Sequence, residues 1–213
     1  MTLANSNYED WRLANPNEDI DNFKFSFSKM SKAGALFDMV KLADVSKNYI
    51  CRLSAEEVYE MVTDWAKENN KKLYKLLVDD EEYAKAIFAI ERGNAKPRKD
   101  ISAWTDVENY VSYFYSELWD RKFDFPDNLS NDDMIEILEL YKQIYDENVS
   151  SDDWFPQVRD MAETIGYAKA PKVYKKDPDS YKGHVGDVAG VIRVAATGRR
   201  NTPDLYEILQ VLG

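Results

Sequence analysis

One cysteine, one histidine, eight glycines and seven prolines are few for a chain of 213 residues, and each scarcity removes a class of protein. With Cys51 alone there is neither an internal disulfide nor a CxxC metal site, and the thiol reads as a small buried apolar group. With His184 as the only imidazole, no Ser/His/Asp or Cys/His arrangement stands out, and no glycine-rich segment matches a phosphate-binding spacing. So few glycines and prolines argue against an all-β protein with many tight turns. No apolar run approaches the roughly 20 residues of a membrane span. Residues 1–20 are polar and acidic, unlike a signal peptide, which makes the cytoplasm the expected compartment.

What remains is a chain that is 44% hydrophobic and 31% charged, with 14 Tyr, 9 Phe and 5 Trp, enough to bury a core. The formal net charge of −11 argues against nucleic acid, because phosphate contacts need Lys and Arg. The charge is uneven, however. Residues 117–153 hold 12 acids and 3 bases, residues 169–200 hold 8 bases and 3 acids, and residues 92–99 hold 4 bases and no acid. A surface field is local on the scale of a Debye length, ~8 Å in cells, so basic loops on an acidic body can still meet phosphates.

Apolar spacing predicts helices almost throughout, and the fold class is all-α. Residues 2–14 read as helix, and residues 18–28 as a short extended segment or packed loop, because Phe23, Phe25 and Phe27 alternate. A helix is expected over 32–45. Ser54 and Glu57 begin a capping box for a helix to Asn69, followed by a short turn carrying Leu73, Leu76 and Leu77. Further helices are expected over 80–92, from Thr105 to Leu118, from Ser130 to Tyr145 and over 152–166, with Gly166 as C-cap. Residues 167–182 look like a basic loop. A helix from Val185 to Thr197, a turn at 198–203 and a last helix capped by Thr202 complete about nine helices. Residues 121–131 read as the joint between two lobes.

The acids at 79–82 and 132–133 suit solvated first turns that favour a helix dipole better than a metal site, and no metal ligand set is assigned. His184 reads as structural or adjacent to a bound RNA. Lys29-Met-Ser-Lys32 spells most of the signature loop with which class I aminoacyl-tRNA synthetases hold ATP phosphates. That loop works beside a nucleotide-binding domain of alternating strands and helices, which this chain does not display, so it reads as a helix start.

The run Val191-Ile-Arg-Val-Ala-Ala-Thr-Gly198, followed by Pro203-Asp-Leu-Tyr-Glu-Ile-Leu209, resembles the end of bacterial glutamyl-tRNA synthetases. Leu36-Phe37-Asp38, Lys41-Leu42 and Tyr49-Ile50 resemble the segment leading into that family's anticodon-binding helices. The resemblance covers essentially the whole chain, which departs from the family at Asp44 and Ser46 and in the longer, more basic stretch 170–182. It implies a C-terminal, anticodon-binding part: residues 1–50 ending a stem-contact region, 51–125 a first helical lobe and 126–213 a second, together a helical cage. The partner implied is tRNA(Glu), without membrane or DNA, and the protein is expected to be monomeric.

Because sequence-specific RNA recognition targets unstacked bases in loops, Arg98, Arg193, Thr202, Pro203 and Leu205 are the residues expected to contact the anticodon. Lys96, Lys99, Arg199 and Arg200 are expected to contact phosphate. In the family an arginine on the loop matching Pro97-Arg98 separates glutamate anticodons, ending in C, from glutamine anticodons, ending in G; Arg92 is the neighbouring register. No catalytic residue and no cofactor are assigned here, ATP and Mg²⁺ belonging to the whole enzyme. The alternative is a helical protein-interaction module that has lost RNA binding.

The expectation that this part catalyses nothing by itself is checked by pyrophosphate exchange. The purified chain should show no glutamate-dependent ATP–pyrophosphate exchange above an enzyme-free control, and measurable exchange would contradict it.

Overall fold

The computed structural model describes residues 5–30 and 38–213. The described residues form eleven α-helices, several 3-10 turns and one two-stranded sheet, so the chain is all-α as its apolar spacing requires. It divides into two compact units, Met1–Val45 and Ser46–Gly213. Among the described residues no helix is long and apolar enough to cross a membrane.

In the first unit, α1 (Tyr8–Ala14) packs Tyr8 and Trp11 on Phe23, with ring centroids 5.0 and 5.3 Å away. The phenylalanine-rich stretch is not extended. It forms two 3-10 turns, Ile20–Asn22 and Phe27–Lys29, the first capped by the Asp19 carboxylate. Phe23 alone is buried, while Phe27 is 84% exposed, so the three rings do not share the single face that a strand would give them. The next helix, α2 (Met39–Ile50), is described from Met39 onward; Leu36 and Phe37, and Ser31-Lys32 of the signature-like tetrapeptide, lie outside the described residues.

The second unit holds two cores. Around the first stand α3 (Ala55–Asn69), α4 (Lys71–Asp79), α5 (Glu81–Ala89) and α6 (Val107–Val111). Ser54 and Glu57 close the expected capping box: Ser54 Oγ accepts from Glu57 N–H at 3.2 Å and the Glu57 carboxylate from Ser54 N–H at 2.7 Å. The leucines after Asn69 make a full helix rather than a turn, because Asn70 caps it and Leu73 and Leu77 are completely buried. Asp80 caps α5 by accepting from Tyr83 N–H, so the acids at 79–82 serve a helix start. Each fully buried Leu, Ile or Phe here is worth about 1.5–3 kcal/mol.

The single helix expected from Thr105 to Leu118 is instead broken. α6 has five residues, and 3-10 turns Trp104–Asp106 and Ser112–Phe114 flank it. Tyr113, Phe114 and Tyr115 are all buried in succession. Three consecutive side chains on an α-helix sweep more than half its circumference, so burying all of them requires leaving helical geometry.

The second core lies among α7 (Asn131–Ile144), α8 (Ser151–Thr164) and α10 (Val185–Thr197), with Ser130 and Ser150 capping the first two. The stretch expected to be a loop contains β1 (Tyr167–Ala168) and α9 (Pro171–Tyr174); β1 pairs in parallel with β2 (Gly183–His184). Gly166, at φ +85°, turns the chain out of α8. His184 is structural: Nδ1 accepts from Gly186 N–H and its own N–H donates to Asp187, closing the start of α10. Cys51 is buried.

The last helix, α11 (Leu205–Leu212), belongs to both cores, contributing Ile208 to the first and Leu205 and Leu209 to the second. Its N-cap is Asp204, which accepts from Glu207 N–H at 3.0 Å, not the expected Thr202. Thr202 is occupied elsewhere, as described below.

Gly198 ends α10 with φ +76°, and a Cβ there would sit 2.3 Å from the Lys122 carbonyl oxygen. Gly198→Ala is expected to lower stability by more than about 2 kcal/mol, since the left-handed conformation alone costs about 1–2 and the backbone collision adds to it. Gly190, inside α10 with nothing near its missing Cβ, is the control, and Gly190→Ala should raise stability by about 0.5–1 kcal/mol. Urea unfolding midpoints compare the two.

Candidate nucleic-acid interface

A groove of about 490 Å³ opens between the loop at 97–102, the segment from Thr105 to Tyr113 and the turn at 199–203. Each wall is set by local hydrogen bonding. Asp106 accepts from Ser102 N–H, Ser102 Oγ–H and Ala103 N–H at 2.6–3.1 Å, which fixes the loop below Asp100. Burial alone would push the Asp106 carboxyl up, but these donors outweigh it and hold it below the usual carboxylate range. Tyr110 and Tyr113 line the floor. Burial pushes the Tyr110 phenol up to about 12 and Tyr113 higher still, so both stay protonated donors at any physiological pH.

Arg98 stands at the rim with about a third of its side chain exposed. Its Nε and Nη2 donate to the two carboxylate oxygens of Asp100 at 2.8 and 2.9 Å, and Nη2 reaches Asn201 at 3.4 Å. Lys96 and Lys99, on the same loop, are exposed. Arg92 is a different kind of residue. Partly buried, it donates through Nε and Nη1 to the carbonyls of Phe88, Ile50 and Leu53 at 2.8–3.1 Å, committing these donors to the protein's own backbone.

Arg193, expected at the anticodon, points into the protein. Its Nη1 donates to the Thr202 hydroxyl and, at 2.6 Å, to the Pro203 carbonyl, and burial lowers the guanidinium's pKa. Thr202 and Pro203 are themselves mostly buried, though both border the groove. Leu205 is 2% exposed and packs in the second core, so it has no face to offer a base; the choice between base contact and core falls to the core. Arg199 lies over the Tyr113 ring, 5.3 Å from its centroid, and donates to the Asn109 carbonyl and side chain and to Ser112 Oγ at 2.7–2.9 Å. Arg200 donates to the Asp124 and Phe125 carbonyls and pairs with the Asp124 carboxylate at 3.0 Å. Both, expected on phosphates, tie the turn after α10 to α6 and to the connection before α7, while Arg200 stays exposed and Arg199 lines the groove.

Sequence reasoning missed Lys47, Asn109, Tyr110 and Tyr113 as groove residues. They look like ordinary helix and core positions, Lys47 on α2, Asn109 and Tyr110 on α6 and Tyr113 in the 3-10 turn after it, and only the tertiary fold brings them to the loop at 97–102. The assembled groove brings together a partly exposed guanidinium, two tyrosines and cations at its edge.

No protein-family model matches the chain. Among curated proteins it is 44% identical over 213 residues to a glutamate–tRNA ligase of Acetivibrio thermocellus, 43% over 217 residues to one of Clostridium perfringens and 44% over 215 residues to one of Sorangium cellulosum. Each match covers the whole of this chain but only 38–40% of the relative, so the chain spans about two fifths of the length of the proteins it matches. The matched portion is the C-terminal one.

Arg193 is expected to matter for folding before it matters for any ligand. Arg193→Met removes the guanidinium's bonds to the Thr202 hydroxyl and the Pro203 carbonyl, leaving the latter only the Thr202 hydroxyl as donor, and should cost about 1–3 kcal/mol of stability. Lysine, with a single ammonium in place of the planar fork, should recover only part of it. Thermal unfolding of the three proteins makes the comparison.

Proposed function

From the chain's membership of the glutamate–tRNA ligase family, as its C-terminal portion, we propose that it recognises the anticodon of tRNA(Glu) for an enzyme that joins glutamate to that tRNA with ATP. The single observation that carries this reading is the groove at 97–113 and 199–203, lined by the partly exposed Arg98, by Tyr110 and Tyr113 and by a tightly braced turn. On this reading the loop of Arg98 and the turn of Thr202 and Pro203 are its two walls. Lys96 and Lys99 meet the RNA backbone outside them. Arg193, Arg199, Arg200 and Leu205 act by holding the walls in place. Residues 1–50 end the stem-contact region, and the setting is the cytoplasm. ATP and Mg²⁺ are handled by the rest of the enzyme, and this portion performs no chemical step.

A fluorescence titration of the chain with tRNA(Glu) across salt concentrations tests the reading. Binding should weaken with salt, with log K against log salt falling by about 0.7–0.9 per phosphate contact. Changing Lys96 and Lys99 together to Ala should flatten that slope and weaken all tRNAs equally, whatever their anticodon. An unchanged slope would remove both lysines from the backbone contact, and no binding by the unmodified chain would sink the reading itself.

A further inference from the structure

We propose that Asp100, with Glu91 behind it, neutralises and fixes Arg98, so that the guanidinium reads a base edge and does not bind phosphate. The inference rests on the anticodon reading above and concerns how one residue of that site is made selective. A free arginine on a basic loop is a general phosphate ligand, equally attracted to every RNA. Arg98 is not free. Asp100 engages it with both oxygens, in the two-pronged geometry that also fixes the guanidinium plane. The Glu91 carboxylate lies 3.7 Å from Arg98 Nε.

Glu91 is itself held hard. Its backbone is left-handed, at φ +51°, its N–H donates to the Glu207 carboxylate at 2.7 Å and its own carboxylate accepts from Asp204 N–H at 2.9 Å. The two carboxylates outnumber the one guanidinium. A phosphate placed against Arg98 therefore meets two negative groups within a few ångströms, while an uncharged base meets no such repulsion. Of the five guanidinium N–H donors, Asp100 takes two and Asn201 faces a third. The pair on Nη1 remains for a base edge. Asp100 and Glu91 are thus positioning residues: they touch no RNA and act through Arg98.

The test uses the whole chain, a tRNA(Glu) transcript and the same transcript with the last anticodon base changed from C to G, each titrated across salt. If the proposal is right, Arg98→Gln reduces the preference between the two transcripts by roughly tenfold and leaves the salt slope as it was. Asp100→Asn should do the reverse to the charge: it should bind both transcripts more tightly at low salt, steepen the slope by about 0.7 and narrow the preference. Asp100→Glu should restore both slope and preference, which a purely structural role for the carboxylate does not require. Glu91→Gln, which keeps an acceptor for Asp204 N–H, should shift slope and preference in the same direction as Asp100→Asn but less. A slope that flattens in Arg98→Gln by a full phosphate contact, or one that stays put in Asp100→Asn with preference intact, overturns the proposal while leaving anticodon recognition standing. No preference in the unmodified chain overturns both.

Discussion

The turn between α10 and α11 is tied down by one partly buried guanidinium. Arg193 leaves α10 sideways, donates to the Thr202 hydroxyl and the Pro203 carbonyl, and so decides where α11 begins. Because α11 carries Ile208 into one core and Leu205 and Leu209 into the other, the position of its first turn sets how both cores close. Burying a charge among carbonyls is costly unless every neighbouring oxygen gains a donor, and here the acceptors are supplied by a turn that has no regular partners of its own. The same turn forms a wall of the groove, so the groove inherits its shape from a core interaction.

The wider charge pattern follows similar logic. The chain is strongly acidic, yet several of its arginines are engaged with carbonyl oxygens: Arg92 with the ends of α2 and α5, Arg199 with Asn109, Arg200 with Asp124 and Phe125. Guanidinium groups suit this because a planar fork reaches several acceptors at once. Lys96, Lys99 and Arg200 stay exposed, while Arg98, about a third exposed, is tempered by carboxylates.

Much of the architecture was legible in the sequence because it rests on local chemistry. Ser54 with Glu57, and Ser130, announce helix starts through donors that lie within three residues. The span of α10, Val185–Thr197, follows from its apolar run and the glycine after it. The family resemblance in residues 191–213 pointed to the correct group of relatives. The misreadings share one cause. The aromatic run at 113–115 and the phenylalanines at 23–27 are patterned by partners distant in sequence, so their local periodicity misleads.

By itself, then, the sequence determined the all-α class, most helix boundaries and the kinship with the glutamate–tRNA ligases, since capping, apolar spacing and a dense motif are properties of neighbouring residues. Only the tertiary structure decided which oxygens each cation meets. Arg98, Arg193, Arg199 and Arg200 look alike in a one-dimensional string, and each can serve a phosphate, a base or a carbonyl. Their roles part because oxygens brought from far along the chain, those of Thr202 and Pro203, Asn109 and Asp124, lie within hydrogen-bonding reach of three of them. Arg98 meets carboxylates at the rim of the groove instead.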